Sequence, residues 1–373
     1  MKLKGFLQRI YRKAEGHKSK SFLSDKTIQW RVEYVCRCSS NRAGVRLLMA
    51  CLLGHLDNPK VDPRKPYTEI GGKDCFSGRT CDERYLTRFI ADHRLPCNPT
   101  TAFLTPGLRN IDRPLTTNIQ IIGRPRELYV ETLRLLDDVF RKRVNPDTLL
   151  SEIVRILILM RNEKLARIES LLDSLERGKG SLPLSSEAIV ALIEQHLACK
   201  NSSRLPALIV AAAYQVAGEK LGERVLPLNA HNAADLQTGS LGDIEVCLAG
   251  DDNVVTAYEM KMKKVTHDDI DTAINKITSA KTPVNNYIFI TTDGIDTEVA
   301  EYATSFYERS GGVEIAILDC VGFLRHFLHL FHRIRTDFLD TYQKLVLAEP
   351  DSAISQTLKE AFLVLRQAAE TGE

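Results

Sequence analysis

The sequence predicts a mixed α/β fold, an α/β core preceded by a mainly helical N-terminal region. Three observations predict it. Between Leu241 and Thr266, "LGDIEVCLAGDDNVVTAYEMKMKKVT" alternates apolar and polar residues on both sides of a turn, as an antiparallel hairpin does. Around that hairpin, from Leu205 to Leu345, helical and strand spacings succeed one another. From Glu127 to Arg177 the apolar spacing is helical alone.

The elements follow in order. The N-terminal third, to about Pro125, mixes short helices with loops rich in Gly, Pro, Thr and Asn. Leu150, Ile153 and Leu157, then Leu165, Ile168, Leu172 and Leu175, recur at helical spacing, with Asn145-Pro146 breaking the run upstream. "GKGSLPLSS" (178–186) is the clearest linker. Leu205 to Leu221 is apolar on nearly every side until its last turn, so it reads as a buried helix, with Pro206 tolerated in its first turn. A short strand, Val225 to Leu228, precedes the hairpin. Thr266 and Asp269 form a capping box that opens the next helix, where Ile270, Ile274 and Ile277 share a face. "NNYIFITTD" is a buried strand, and "DTEVAEYATSFYERSGG" is an amphipathic helix stopped by Gly311-Gly312. "VEIAILDC" is a further strand, and Phe323 to Leu345 is one long helix. A last helix covers roughly Ser352 to Ala369. The expected divisions are 1–125 for an N-terminal region, 126–180 for a helical linker region, 181–345 for the core and 346–373 for a C-terminal helix.

Within the hairpin, strand periodicity sorts the side chains. Ile244 and Val246 face one way, and Asp243 and Glu245 the other. Thr256, Tyr258, Met260 and Met262 share a face opposite Val255, Ala257, Glu259 and Lys261. One side of the hairpin therefore gathers carboxylates and an ammonium. Hard oxygen ligands of this kind suit Mg2+, which takes one or two carboxylates and keeps several waters. A solvated strand face produces the same alternation, so the spacing alone leaves both readings open.

Helix, strand, strand, strand, helix, strand is the order of the PD-(D/E)XK nuclease core, and the sequence resembles that superfamily, with Asp243, Glu259 and Lys261 at its motif positions. The resemblance implies that Asp243 and Glu259 bind the metal and that Lys261 positions or activates the attacking water. Gly242 stands where the motif's proline would be. A nearer likeness is to the SacI family of type II restriction endonucleases. It is carried by "HNAADLQTGSLGDIEV", "TAYEMKMKKVTHDDIDTAINKI", "RKPYTEIGGKDCFSGRTCDERYLTRFIADHRLPCNPTTAFLTPGLRN" and "GFLRHFLHLFHRIR". That likeness implies cleavage of double-stranded DNA at a short palindrome, with Mg2+ and no nucleotide cofactor. A palindrome cut on both strands is met most simply by a homodimer, to which Phe323–Leu345 has apolar surface to contribute.

Glu245 and Glu219 read first as solvated charges, with an auxiliary role open for each, and Asp235 is open for support of the metal ligands. Base reading falls to Arg, Asn, Gln and acids in the major groove. "CFSGRTCDERY" offers Arg79, Asp82, Glu83 and Arg84; "NPTTAFLTPGLRN" offers Asn98, Thr100, Thr101, Arg109 and Asn110; "HNAADLQTG" offers Asn232 and Gln237. Turns and helix caps use the same residue types for their own hydrogen bonds.

Composition bounds these readings. The chain has 373 residues, 44% of them hydrophobic and 26% charged, with a formal net charge of +2. That is an ordinary globular composition and not a uniformly basic one. The first 31 residues nonetheless hold nine Lys/Arg against two acids, an arm that either follows phosphates or frays into solvent. No apolar run is long enough for a bilayer, and the start lacks the apolar stretch of a secretory signal, so no membrane is expected. Nine cysteines without paired CxxC spacing point to reduced thiols in a cytoplasm, not to zinc. Two rivals use the same observations: a structure-selective or repair nuclease on this core, and a non-catalytic DNA-binding regulator.

Overall fold

Leu3, Phe6, Leu7, Ile10, Tyr11 and Ala14 recur at helical spacing, and all six are buried on one side of α1 (Leu3–Glu15). Arg9 and Lys13, on its outer side, pair with Asp147 at 2.8 and 3.0 Å. The basic arm is therefore a docked amphipathic helix and does not fray. A computed structural model describes residues 3–17, 19–177, 182–228, 240–279, 284–310 and 312–371.

The chain divides into two units, Met1–Arg167 and Ile168–Glu373. The first is helical. α1 is followed by α2 (Lys26–Arg37), α3 (Ala43–Asp57), the short α4 (Gly78–Cys81) and α5 (Thr87–Asp92), and then α6 (Arg126–Phe140). α7 (Pro146–Arg177) begins at Asn145-Pro146, where the sequence places its break, and the unit boundary falls within it. α3 is buried from Ala43 to Gly54, so it forms the unit's centre, with α2 and α6 against it.

The second unit begins with α8 (Ser186–Leu197) and the apolar α9 (Leu205–Leu221). Its sheet contains β1 (Glu223–Val225), β2 (Ile244–Leu248), β3 (Val254–Lys261), β4 (Asn286–Thr291) and β5 (Glu314–Asp319), in that spatial order. β1, β2 and β3 are antiparallel neighbours, whereas β3, β4 and β5 run parallel. The parallel steps need crossovers, supplied by α10 (His267–Thr278) and α11 (Thr297–Ser310). Ile244, Val246, Tyr258, Ile288 and Ile290 join α9 in one core. Ala257, Tyr287, Phe289 and Ile315 join Ile270 and Ala273 of α10 and Val299 of α11 in a second core, on the sheet's other face.

Three boundaries differ from the sequence reading. The first strand lies at Glu223–Val225 and not at Val225–Leu228. The expected long helix over Phe323–Leu345 is two helices, α12 (Cys320–Leu330) and α13 (Arg335–Ala348). No Gly or Pro marks the break. The turn at Phe331–Ile334 brings the Phe331 and Phe338 rings to 5.1 and 5.6 Å from that of Phe327, so tertiary packing decides it. The last helix, α14, spans Gln356–Thr371. No helix among the described residues is long and apolar enough to cross a membrane.

Candidate active site

The geometry starts with the register of the hairpin. Ile244 pairs with Tyr258, so one step further along both strands Asp243 comes opposite Glu259. The approach is close: a Cβ at Gly242 would lie 2.5 Å from the Tyr258 carbonyl oxygen. Only glycine fits there, which accounts for its presence where the superfamily motif carries proline. Asp243 Oδ2 accepts the Met260 backbone N–H at 2.8 Å, locking the carboxylate against β3 beside Glu259. Ala257, on the same face of β3 as Glu259 and Lys261, packs in the core shared with α10.

The Glu259 carboxylate is held at both oxygens. Lys261 Nζ lies 3.5 Å from Oε1 and Lys276 Nζ 3.2 Å from Oε2. The Tyr287 hydroxyl lies 3.1 Å from the same Oε2 and 3.0 Å from the Leu241 carbonyl oxygen, so these two acceptors share its one proton. Lys261 in turn pairs with Asp269 Oδ1 at 2.8 Å. Asp269 also closes the capping box: its Oδ2 accepts the Thr266 N–H at 3.0 Å while the Thr266 hydroxyl caps Asp269 N–H. Burial works to lower the Lys261 pKa, but the hydrogen bond to Asp269 and the charge of Glu259 outweigh it and hold the ammonium above its usual value. Burial likewise works to raise Asp269, and Lys261 and Thr266 reverse it, so that carboxyl sits below its usual range.

This arrangement fits a hard divalent ion. The hairpin register sets Asp243 opposite Glu259, and the ammonium groups of Lys261 and Lys276 balance the charge of Glu259. Among the described residues no three His, Cys, Asp or Glu side chains gather to ligate one ion. A donor set of two carboxylates is what Mg2+ uses when waters and a phosphate complete its shell. All nine thiols are free, and Cys36, Cys51, Cys247 and Cys320 are buried.

The other candidates fall in different places. Glu245 Oε1 accepts the Leu241 N–H at 2.8 Å, so it secures the turn leading into Asp243. Glu219 is exposed in the last turn of α9, just before Glu223, which pairs with Leu248. That is the opposite end of β2 from Asp243, so of the two readings left open for Glu219 the placement favours the solvated charge over the auxiliary role. Asp235, Asn232 and Gln237 lie outside the described residues. In the first unit Asp82 is fully buried and salt-bridged at 2.7 Å to the equally buried Arg46. Thr101 is also buried and donates its hydroxyl to Asp82 at 2.6 Å. Neither side chain can reach a base edge, a correction of both expectations: their polar atoms complete an internal network. The Asn98 carbonyl accepts from Arg46 in the same network. Asn110 takes a positive φ of 61°, the turn geometry asparagine tolerates. Arg79 and Glu83 pair with each other at 2.7 Å on the surface, and Arg84, Thr100 and Arg109 are exposed.

Sequence spacing marks Asp269 as a helix cap and does not single out Lys276 or Tyr287. A signal exists: Asp269, Ala273 and Lys276 recur at helical spacing beside the Ile270–Ile274–Ile277 stripe, putting opposite charges on one flank.

Comparison with known proteins follows the same segment. Residues 182–294 match the family model described as SacI restriction endonuclease C-terminal domain. No curated protein matches the chain. The matched span holds α8, α9, the β1–β4 part of the sheet and all of Asp243, Glu259, Lys261, Asp269, Lys276 and Tyr287. On that match and the mixed five-stranded sheet, the chain carries a SacI-like restriction endonuclease domain with the restriction-endonuclease-like, PD-(D/E)XK type of fold.

Proposed function

We propose that the protein is a type II restriction endonuclease, hydrolysing phosphodiester bonds of double-stranded DNA at a short palindromic site as a homodimer, with Mg2+ and without a nucleotide. The observation that carries this reading is the register of β2 and β3, which sets Asp243 opposite Glu259, with Lys261 beside Glu259. A binding module has no need for an acid at Asp243 opposite Glu259, with the Lys261 ammonium between Glu259 and Asp269.

In this reading Asp243 and Glu259 hold the magnesium ion, which supplies Lewis-acid stabilisation of charge on the phosphate. Asp243 is kept in place by the Met260 amide and Glu259 by Lys261, Lys276 and Tyr287. Lys261, anchored by Asp269, presents an N–H donor that orients the attacking water or a nonbridging phosphate oxygen. Glu259, Lys261 and Asp269 are partly buried, which strengthens the interactions among them relative to open solvent, whereas Asp243 is exposed.

Incubating the pure protein with phage DNA and magnesium, followed by a gel, tests the reading. Discrete bands are expected. Nicks or a smear would replace it with a structure-selective or repair nuclease, and unchanged DNA that is nonetheless bound would replace it with a regulator.

A further inference from the structure

Glu259 is a flexible side chain on a strand, yet both of its oxygens are engaged from three elements. Oε2 receives Lys276 from α10 at 3.2 Å and Tyr287 from β4 at 3.1 Å, while Oε1 faces Lys261. α10 approaches closely because the residue between Asp269 and Lys276 on that flank is the buried Ala273. The helix thus offers an acid to the lysine of β3 and, two turns later, a lysine to its glutamate. Tyr287 adds a second link, since its other acceptor is the carbonyl of Leu241, two residues before Asp243.

We propose that Lys276 and Tyr287 are positioning residues for Glu259, together fixing Oε2 so that Oε1 is directed to the reacting centre beside Lys261. The proposal rests on the nuclease reading, because only a reacting centre there requires a directed carboxylate oxygen. Lys276 and Tyr287 touch neither DNA nor metal in this assignment. Their effect passes through Glu259.

The test uses the full chain and the variants Lys276→Met, Lys276→Arg and Tyr287→Phe, with circular dichroism to confirm folding. Three quantities are measured: the single-turnover cleavage rate at saturating DNA, DNA affinity in calcium without turnover, and Mn2+ binding to the DNA-free protein by calorimetry. Lys276→Met is expected to slow cleavage about 10- to 100-fold, as a misdirected catalytic group does. It should bind Mn2+ several-fold tighter, because a competing ammonium is gone, and leave DNA affinity within about two-fold. Lys276→Arg should recover part of the rate. Tyr287→Phe should slow cleavage by roughly 3- to 10-fold, and its effect should not multiply with that of Lys276→Met, because both act on one oxygen.

Wild-type cleavage in Lys276→Met overturns the proposal, and so does a loss of DNA affinity that matches the loss of rate, the mark of a phosphate contact. If Lys276→Met does not fold, Lys276→Arg and Tyr287→Phe decide by the same criteria. If the wild-type protein cuts no DNA, the nuclease reading fails first. Manganese binding then judges the assignment: it stands if Glu259→Gln abolishes binding and Lys276→Met tightens it, and falls if Lys276→Met leaves it unchanged.

Discussion

Asp243 accepts the backbone N–H of Met260 at 2.8 Å, so a carboxylate one residue outside β2 is fixed by the main chain of β3. The relationship makes the register of two antiparallel strands, and not a side-chain contact, the first determinant of the site. It also explains why the site tolerates the exposed turn between the strands: the pairing Val246–Thr256 and Ile244–Tyr258 sets the alignment on the Asp243 side of the bulge at Val246/Cys247.

Gly242→Ala tests this dependence. The added Cβ meets the Tyr258 carbonyl oxygen at 2.5 Å and its carbon at 3.0 Å, both backbone atoms that cannot swing aside. The strands must part locally, moving Asp243 relative to Glu259. A displacement of about 1 Å at a reacting group costs roughly 100-fold in rate, so cleavage should fall by about that factor while the chain stays folded. A Gly242→Ala protein with wild-type single-turnover rate would remove register from the account of this site.

Local chemistry made part of this structure legible from sequence. The capping box at Thr266 and Asp269, the buried helix Leu205–Leu221 and the alternating faces of β2 and β3 are each set by neighbours within a few residues, and the structure has each where the pattern puts it. Tertiary decisions were not legible. The break at Phe331 depends on ring packing with Phe327 and Phe338, which no local residue announces. The burial of Asp82 depends on Arg46, thirty-six positions upstream, and the contact of Lys276 and Tyr287 with Glu259 depends on how α10 and β4 return to β3. Polar residues in "CFSGRTCDERY" look alike on paper, and only the fold separates the internal Asp82 from the exposed Arg84.

The Arg46–Asp82 pair yields a second prediction. Both groups are fully buried, and Arg46 also donates to Thr87 at 2.7 Å. Removing one partner leaves the other charge uncompensated, which costs about 3–5 kcal/mol. Asp82→Ala should therefore lower the stability of the first unit by that amount in chemical denaturation. Arg46→Met combined with Asp82→Leu should recover much of it, since apolar residues of similar size avoid the stranded charge. A loss below about 1 kcal/mol in Asp82→Ala would mean that water reaches the pair.

His196 yields a prediction for the pH dependence of the second unit. It is fully buried, with Nδ1 3.0 Å from the Tyr342 hydroxyl of α13 and Nε2 3.1 Å from the Leu358 carbonyl of α14. Burial lowers its pKa from the usual 6.5 to about 4, against the partial opposition of the Leu358 carbonyl. The folded pKa is depressed, so the unfolded chain binds the proton first as pH falls. The stabilising contribution is complete above pH 6.5 and is lost progressively down to about pH 4. Between pH 7 and pH 5 the loss amounts to roughly 2 kcal/mol. His196→Gln should flatten the fall in denaturation midpoint over that window relative to wild type. An equal slope in both proteins would place the acid sensitivity elsewhere.

In the proposed nuclease, Arg84 and Arg109 are candidates for DNA contact. Both are exposed, in contrast to Asp82 and Thr101 in the same two stretches. Arg84 lies over the Tyr85 ring at 5.5 Å, a contact that restrains the guanidinium without using its hydrogen bonds. A phosphate contact and a base contact give different signatures. Loss of a phosphate contact weakens binding to all sequences alike and lowers the salt slope by about one unit, whereas loss of an arginine–guanine contact costs about 1–3 kcal/mol at one base pair. Arg84→Ala and Arg109→Ala are each expected to reduce DNA affinity at least several-fold in calcium, where cleavage is off. Titration on target and scrambled duplexes at two salt concentrations then assigns each residue to one class. Affinity unchanged in both variants on every duplex would take these two stretches out of the DNA interface.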